Sequence, residues 1–323
     1  MTPFKLLVLG GTGFVGRSVC ERLVERSGGG DGPITVPSRH PQRAGDLWAL
    51  PTVEVAPADL YDDAQLARLV AGQDAVTNLV GILHGSEADF RRVHAELPAR
   101  LASACRQAGV RRLIHVSALG ASASAPSRYL RSKAAGEAAL SAAAASGALD
   151  LTVLRPSVMF GEHDRFINQF AALQTLFPLV PLAGAHAKFQ PVWVEDTAAG
   201  IVACLDQRWT VGQTIECAGP QVHTLKELVQ MAGRWSGHPR PVIPLPDTLG
   251  CAQAMLLELM PGEPLMSRDN LDSMKVPNVA SGTLPGLDRF GRKPTSIETV
   301  MAPWLEHRSG AERLYPWRVV RRF

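Results

Sequence analysis

The sequence predicts an α/β fold, in which a doubly wound parallel sheet is accompanied by a smaller, discontinuous C-terminal lobe. Three observations lead to this prediction. In the first half of the chain, short apolar segments alternate with segments whose apolar residues recur at helical spacing, which is the pattern of βαβ units. A glycine-rich segment follows the first apolar segment directly. After Pro156, prolines and irregular apolar segments replace the regular alternation.

The predicted strands are short and mostly apolar, as expected for buried strands. They lie near residues 5–9, 34–36, 53–56, 75–79, 112–117 and 151–155. Helices are predicted to begin near Gly13, Asp63, Asp89 and Tyr129. The alanine-rich stretch 133–145 strongly favours the helical conformation.

The composition indicates an ordinary globular protein, whose 323 residues allow one large domain with a smaller lobe. No apolar run approaches the roughly 20 residues that span a bilayer, and no signal-peptide pattern is evident, so we predict a cytoplasmic location. The net charge of +3 gives no reason to expect a nucleic-acid partner. The five cysteines are dispersed and odd in number, so neither a disulfide framework nor a metal site is expected.

The glycine-rich segment lies between the first strand and the first helix and suits a diphosphate. Glycine at position 10 permits a tight turn, glycine at 13 lets the backbone approach a pyrophosphate, and glycine at 16 lets the helix pack closely on the sheet. The free N–H groups and the dipole of the helix N-terminus favour negative charge. We therefore predict a Rossmann-type dinucleotide site that includes Gly10, Thr12, Gly13, Phe14, Val15 and Gly16.

The sequence pattern divides the chain into two predicted regions. Residues 1–157 and 189–220 are assigned to the NAD(P)-binding core, because regular alternation returns near 190–205 and 214–218. Residues 158–188 and 221–323 are assigned to a substrate or lid lobe. Its C-terminal tail mixes cations with aromatic side chains, which suits an anionic membrane surface or a partner protein, although a merely solvated tail is the alternative. These tail residues are Arg313, Tyr315, Trp317, Arg318, Arg321, Arg322 and Phe323.

The end of the second strand bears on the choice of cofactor. NAD-specific proteins usually place an acidic residue there for the ribose hydroxyls, but this chain has none. Arg39, with Ser38 and Arg43, is suited to bind a 2′-phosphate through charge-assisted hydrogen bonds. NADP(H) is therefore the predicted cofactor, with NAD(H) as the alternative if these arginines are merely solvent-exposed.

The catalytic candidates are Ser117, Tyr129 and Lys133. Tyr129 and Lys133 lie four residues apart in a predicted helix, so their side chains share one face. A lysine ammonium beside a phenol lowers its pKa from about 10, which makes the tyrosine a usable acid or base. Ser117, at a strand end, is placed to hydrogen-bond a substrate carbonyl.

The spacing Gly10-x-x-Gly13-x-x-Gly16, together with Ser117 and Tyr129-x-x-x-Lys133, resembles the short-chain dehydrogenase/reductase superfamily. The resemblance implies oxidation or reduction at a carbon bearing oxygen, sometimes as one step of an epimerisation. It also implies that Tyr129 and Lys133 contact the cofactor. By the same resemblance, further contacts are Asp59 and Leu60 to adenine, Leu79, Val80 and Gly81 beside the ribose, and Pro156 and Val158 bordering the nicotinamide.

A narrower resemblance rests on the segments 116–121, 127–137, 155–156 and 160–166. Over about the first 200 residues, the chain is similar to an atypical group of the superfamily that is NAD-dependent epimerase/dehydratase-like. The group includes the NADPH-binding accessory subunit of respiratory complex I and its bacterial relatives. Membership implies that NADPH is bound tightly without necessarily being turned over.

Three functional hypotheses follow. The first is an NADP(H)-dependent oxidoreductase acting on a small apolar carbonyl or alcohol through the Ser-Tyr-Lys triad. The second is a non-catalytic NADPH-binding structural or assembly subunit of a respiratory assembly, attached through its tail and peripheral to the inner membrane. The third is an NADP(H) redox sensor that performs no chemistry.

Overall fold

The computed structural model describes residues 4–28, 32–259 and 264–307, which form two compact units. The first unit comprises Met1–Pro156, Val194–Cys217 and Ala280–Arg292, and the second comprises Ser157–Trp193, Ala218–Val279 and Lys293–Phe323. The tail at residues 313–323 lies outside the described residues. Segment 280–292 was assigned to the lobe from the sequence but belongs to the first unit. Its Ser281 donates hydrogen bonds to the Glu216 carboxylate from both N (2.7 Å) and Oγ (3.0 Å).

The strands are short, and most of the first-unit strands are buried. In chain order they are β1 (Leu6–Leu9), β2 (Ile34–Ser38), β3 (Val53–Pro57), β4 (Ala75–Asn78), β5 (Arg112–Val116), β6 (Asp150–Pro156), β7 (Met159–Phe160), β8 (Val180–Leu182), β9 (Lys188–Phe189), β10 (Val192–Trp193), β11 (Thr214–Cys217), β12 (His223–Thr224) and β13 (Val242–Pro244).

The helices alternate with the strands in the first unit, and a π-helix at Arg92–Glu96 joins α3 to α4. In chain order they are α1 (Phe14–Ser27), α2 (Asp63–Val70), α3 (Glu87–Arg91), α4 (Leu97–Ala108), α5 (Arg128–Ala145), α6 (Ile167–Leu176), α7 (Val194–Asp206), α8 (Leu225–Trp235), α9 (Asp247–Glu258), α10 (Arg268–Ser273) and α11 (Ile297–His307). Among the described residues, none of these helices has the length and hydropathy needed to cross a bilayer.

The first unit contains a seven-stranded sheet in the order β11-β6-β5-β4-β1-β2-β3. Every pairing in this sheet is parallel. The predicted α/β fold with a doubly wound parallel sheet is therefore confirmed. The strand order reverses on the two sides of β1, and ligands of such sheets bind at the carboxyl ends of the strands near this reversal.

The first unit is held together by an apolar core against one face of the sheet. Leu7, Leu9, Val76 and Leu113 point from the strands into this core, and Leu101 meets them from α4. All five are essentially inaccessible to solvent. Burial of a leucine side chain contributes about 1.5–3 kcal/mol, so this layer fixes the strand ends that carry the functional residues.

The second unit has an apolar core of its own. Phe160, Ile167, Leu228 and Met301 are fully buried in it. Its strands form short pairs, with β10 parallel to β7, β13 parallel to β8, and β12 antiparallel to β9. Helix α8 begins with a capping box in which Thr224 Oγ1 accepts from Glu227 N, and Glu227 Oε2 accepts from Thr224 N.

The close approach of α1 to the turn before it depends on Gly16. A Cβ atom at this position would overlap the Gly10 carbonyl oxygen and lie 2.5 Å from the Gly11 backbone. Backbone atoms cannot yield in the way that a flexible side chain can. We expect Gly16→Ala to lower the free energy of unfolding by about 1–3 kcal/mol, as overpacking does elsewhere.

Urea unfolding of the two alanine variants at positions 16 and 13 checks this expectation. Gly13→Ala is the matched control, because the nearest atom to its Cβ, the Gly10 carbonyl oxygen, lies 3.3 Å away and its φ of −80° suits alanine. Equal losses of stability in the two variants would contradict the role assigned to Gly16.

Candidate functional site

The turn between β1 and α1 has the geometry of a diphosphate cradle. Gly10 adopts φ 82°, a left-handed conformation that favours glycine, and its carbonyl oxygen accepts a hydrogen bond from Gly13 N at 3.0 Å. Gly13 is the N-cap of α1 and has no side chain to cap the helix. The N–H groups of the first turn, at Phe14 and Val15, therefore keep the partial positive charge that attracts a phosphate.

A cavity of about 610 Å³ lies beside this turn, lined entirely by residues of the first unit. It gathers residues from the ends of β1, β2, β3 and β4. The residues predicted from the sequence that line it are Gly10, Thr12, Ser38, Arg39, Arg43, Asp59, Leu60, Val80 and Gly81. Residues that the sequence analysis missed also line it, including His40, Tyr61, Ile82, His84, Asp89, Arg92 and Val93.

Positive charge dominates one wall of this cavity. Arg39 and Arg43 follow β2, and among the described residues no carboxylate forms an ion pair with either guanidinium. Asp89, which also lines the cavity, is engaged instead in the capping box of α3, where Ser86 N and Oγ donate to Oδ2 at 2.9 and 2.7 Å. These hydrogen bonds lower the pKa of Asp89. The uncompensated arginines suit an anionic group.

Arg92 and Tyr61 form a contact that the sequence did not reveal. The Arg92 guanidinium lies 4.0 Å from the centroid of the Tyr61 ring, within cation–π range. Burial raises the pKa of Tyr61, and the positive charges of Arg92 and Arg39 oppose that effect. In the sequence, Arg92 lies in a charged helical segment, where an arginine is expected to be solvated. The π-helical turn, which packs against α5, brings Arg92 to the cavity in the tertiary structure.

The three catalytic candidates all lie in the first unit. Ser117 follows β5 and is 3% exposed, and its Oγ has no hydrogen-bond partner among the described residues. Tyr129 and Lys133 lie in the first two turns of α5, which begins after Ser127 as N-cap. Lys133 Nζ donates to the carbonyl oxygen of Val116 at 3.2 Å, so α5 packs against the end of β5. A Cβ atom at Gly81 would lie 3.1 Å from Lys133 Nζ, which places the lysine beside the cavity wall.

Burial shifts the pKa values of Tyr129 and Lys133. It raises the pKa of Tyr129 to about 12. It also lowers the pKa of Lys133 to about 8, against the opposing charge of Glu137. The pKa of Tyr129 is thus raised, not lowered as the spacing to Lys133 predicts, because burial desolvates the phenolate. The tyrosine is a neutral phenol at neutral pH.

Three further residues predicted to contact the cofactor have the following hydrogen bonds. Leu79 N donates to the Leu9 carbonyl at 2.9 Å, which holds the segment after β4 against the end of β1. Pro156 ends β6, and its carbonyl accepts from Leu119 N at 3.0 Å. Val158 belongs to the second unit, where its N–H donates to Asn278 Oδ1 at 2.8 Å.

This sheet order, with a glycine turn at the switch point, defines a Rossmann-type NAD(P)-binding fold. The chain belongs to the NAD dependent epimerase/dehydratase family, whose model matches residues 6–218. Among solved structures, DesIV, a dTDP-glucose 4,6-dehydratase from Streptomyces venezuelae with NAD bound, superimposes with a TM-score of 0.72 at 20% identity, covering 96% of this chain and 99% of that chain. This likeness supports the fold.

Two proteins that are similar to this chain in sequence give a closer comparison. The chain is 33% identical over 301 residues to the mitochondrial NADH dehydrogenase (ubiquinone) 1 alpha subcomplex subunit 9 of Rattus norvegicus, covering 90% of this chain and 77% of that protein. It is 31% identical over 199 residues to a ceramide reductase of Caulobacter vibrioides, covering 61% of this chain and 59% of that protein. The predicted resemblance to the group that contains the respiratory subunit is thereby confirmed.

The buried Lys133 has a consequence for stability that depends on pH. Its folded pKa of about 8 lies below the ordinary value of 10.5, so between these values the unfolded chain binds the proton more strongly. Stability therefore rises with pH across this window, and the cost of burying the charge is fully present below pH 8. We expect the free energy of unfolding of Lys133→Met, relative to that of the wild type, to be highest at pH 7. This difference should fall by about 2 kcal/mol by pH 10.

Urea unfolding between pH 7 and 10 measures this difference. The control is Lys188→Met, which makes the same substitution at an exposed lysine in the second unit. A Lys133→Met difference of constant size would show that the ammonium is not buried as described.

Proposed function

We propose that the protein is an NADP(H)-dependent oxidoreductase that acts on an apolar carbonyl or alcohol. The observation that carries this proposal is the placement of Lys133 Nζ beside Gly81, because Gly81 also lines the cavity next to the glycine turn. The buried lysine therefore lies beside the cavity wall, with a neutral phenol one helical turn away on α5 and an unpartnered serine hydroxyl directly after β5, the strand whose last carbonyl Lys133 contacts. Such a set serves proton transfer to or from a substrate oxygen.

In this proposal each residue has a defined task in the reductive direction. The cofactor supplies hydride when bound. The Tyr129 hydroxyl is the proton donor for the carbonyl oxygen, which its high pKa favours because the proton is present at neutral pH. Ser117 Oγ donates a hydrogen bond to the same oxygen. The Lys133 ammonium stabilises the phenolate that forms as Tyr129 loses its proton.

The apolar character of the substrate is supported by one relative. The name of the Caulobacter vibrioides relative, ceramide reductase, gives ceramide as its substrate and reduction as its reaction. We propose a substrate of the same broad class, a long-chain carbonyl or alcohol. The assignment of the second unit as a substrate or lid lobe is part of this proposal.

The proposed preference for NADP(H) is based on Ser38, Arg39 and Arg43 at the end of β2. We expect Arg39→Asp to weaken NADPH binding by roughly 10- to 100-fold, the effect of losing one charge-assisted contact, and to leave or improve NADH binding. Isothermal titration with both nucleotides measures the ratio. The control is Arg68→Asp, which makes the same charge change at an exposed position on α2. An Arg39→Asp variant that still prefers NADPH as strongly as the wild type would refute this assignment.

A second candidate function follows from the similarity to the respiratory subunit, which extends over 90% of this chain. In this case, the protein binds NADPH as a structural or assembly subunit of a respiratory assembly, peripheral to the membrane, and the nucleotide stabilises the fold by mass action. The first candidate is proposed for the cytoplasm. The two differ in whether Tyr129 is needed.

The variant Tyr129→Phe separates the two candidates. It removes the proton donor and leaves the ring contacts of Tyr129 with Phe90 and His94 in place. For the enzyme, we expect kcat with long-chain ketones and aldehydes to fall by about 10²- to 10⁴-fold. The Kd for NADPH should stay within about threefold, since a single neutral hydroxyl contributes only about 0.5–1.5 kcal/mol.

The result has two clear alternatives. Retained turnover in Tyr129→Phe would contradict the proposed catalytic role. If the wild type binds NADPH but reduces none of these carbonyls, and if Tyr129→Phe supports the cellular function in full, the second candidate replaces the first.

A further inference from the structure

The buried histidine on the π-helix, His94, lies between the nucleotide cavity and the helix of the catalytic candidates. It is 2% exposed and occupies the middle of the π-helix Arg92–Glu96. Isolated π-helical turns are rare and are found frequently at functional sites, because the extra residue changes which side chains face inward. On the same turn, Arg92 and Val93 line the cavity.

Both ring nitrogens of His94 are engaged in hydrogen bonds. Nε2 accepts from the backbone N–H of Ile82 at 3.0 Å. Because an amide N–H can only donate, the ring proton lies on Nδ1, which donates to Ser132 Oγ at 2.8 Å. Ile82 belongs to the cavity wall, and Ser132 belongs to α5. The imidazole therefore joins these two elements directly.

The connection continues to the first turn of α5. Ser132 Oγ donates to the carbonyl oxygen of Tyr129 at 2.7 Å. The His94 ring also meets the Tyr129 ring edge-on, with centroids 5.5 Å apart at 81°. Between the residues that line the cavity and the residue proposed as proton donor there is thus an unbroken series of contacts.

The imidazole of His94 is neutral. Burial lowers the pKa of His94 to about 2, and the positive charge of Lys133 and the ring of His115 act in the same direction. His115 is itself buried, with its pKa lowered to about 3 by burial and by Lys133. Neither histidine accepts a proton near neutral pH, so His94 is not an acid or base for the reaction.

Two glycines that pack against His94 allow it to lie close to α5 and to the cavity wall, and they restrict its movement. A Cβ atom at Gly136 would overlap the His94 carbonyl oxygen, so α5 can approach the π-helix this closely only through glycine. A Cβ atom at Gly81 would lie 3.5 Å from His94 Nε2 and 3.1 Å from Lys133 Nζ. The ring thus has little freedom to move relative to α5 or the cavity wall.

We propose that His94 is a positioning residue that couples the nucleotide cavity to Tyr129 and Lys133 through its two hydrogen bonds, to Ile82 and to Ser132. This inference rests on the proposed function, because Tyr129 and Lys133 are proposed to hold the nicotinamide half of NADP(H). Ile82 lines the same cavity as Arg39 and Asp59, which are proposed to contact the adenosine half, so we assign the Ile82 bond to that half. The Ser132 bond fixes the position of the first turn of α5, which carries Tyr129. We therefore assign this bond to the nicotinamide half of the site.

Two probes separate the halves of the site: NADPH, which extends over both, and 2′,5′-ADP, which fills only the adenosine half. Ser132→Ala removes the bond to α5. His94→Gln places an amide near Nε2 and so keeps the bond from Ile82, whereas His94→Asn places one near Nδ1 and keeps the bond to Ser132. The control is Ser141→Ala, the same change at an exposed position on α5.

We expect Ser132→Ala and His94→Gln to weaken NADPH binding by about 5- to 20-fold and to leave the Kd for 2′,5′-ADP within twofold, the effect of one lost hydrogen bond. The double variant should be no weaker than either single variant, because both remove the same connection. His94→Asn should weaken both probes. Titration of the fluorescence of the bound nicotinamide reports the same loss through an altered emission in Ser132→Ala and His94→Gln.

The proposal is overturned if Ser132→Ala and His94→Gln weaken both probes equally, which is the behaviour of a purely structural residue, or if neither changes the NADPH affinity. Should His94 variants fail to fold, Ser132→Ala decides the matter, since it removes one hydroxyl at a half-buried position. A wild type that binds neither NADPH nor 2′,5′-ADP refutes the proposed function itself, which distinguishes the two failures.

Discussion

Close approach of backbone to backbone is the constraint on which the rest of this structure depends. At Gly16, α1 lies against the turn that follows β1, and at Gly136, α5 lies against the π-helix, in each case so closely that a Cβ atom would overlap a carbonyl oxygen. The first contact places the N-terminus of α1 beside the cavity. The second places the helix of Tyr129 and Lys133 beside His94. Any other side chain at these two positions would separate the elements that form the site.

The charge balance of the site follows from this tight packing. Water is excluded from Lys133, His94 and His115, so the two imidazoles are neutral and the lysine pKa falls to about 8. Asn78 provides the polar contact that the interior requires, with its side-chain nitrogen 3.2 Å from His115 Nδ1. The histidines carry no charge, whereas the Lys133 ammonium lies beside Gly81 in the cavity wall and the Arg92 guanidinium lines the cavity. Arg39 and Arg43, after β2, add further positive charge to the cavity.

The family comparisons agree with a site that serves either of two uses. The chain belongs to the NAD dependent epimerase/dehydratase family, and its relatives include both a ceramide reductase and a subunit of a respiratory NADH dehydrogenase. The Rossmann-type NAD(P)-binding fold is compatible with either use. The fold does not by itself decide between them, because one fold serves many functions.

The sequence by itself determined the alternation of strands and helices, the glycine turn and the positions of Ser117, Tyr129 and Lys133, because hydrophobic periodicity and glycine spacing are local signals. The roles of Arg92 and His94 could not be predicted from the sequence, because a helical segment rich in charged residues is expected to be solvated. The π-helical turn places the Arg92 side chain at the cavity and buries the His94 side chain. Residues 280–292 lie in the first unit, where Ser281 hydrogen-bonds to Glu216, 65 residues away in the chain. The protonation of Tyr129 was likewise decided only by tertiary structure. A spacing of four residues places a lysine near a phenol, but how much water remains around them depends on packing between elements distant in sequence.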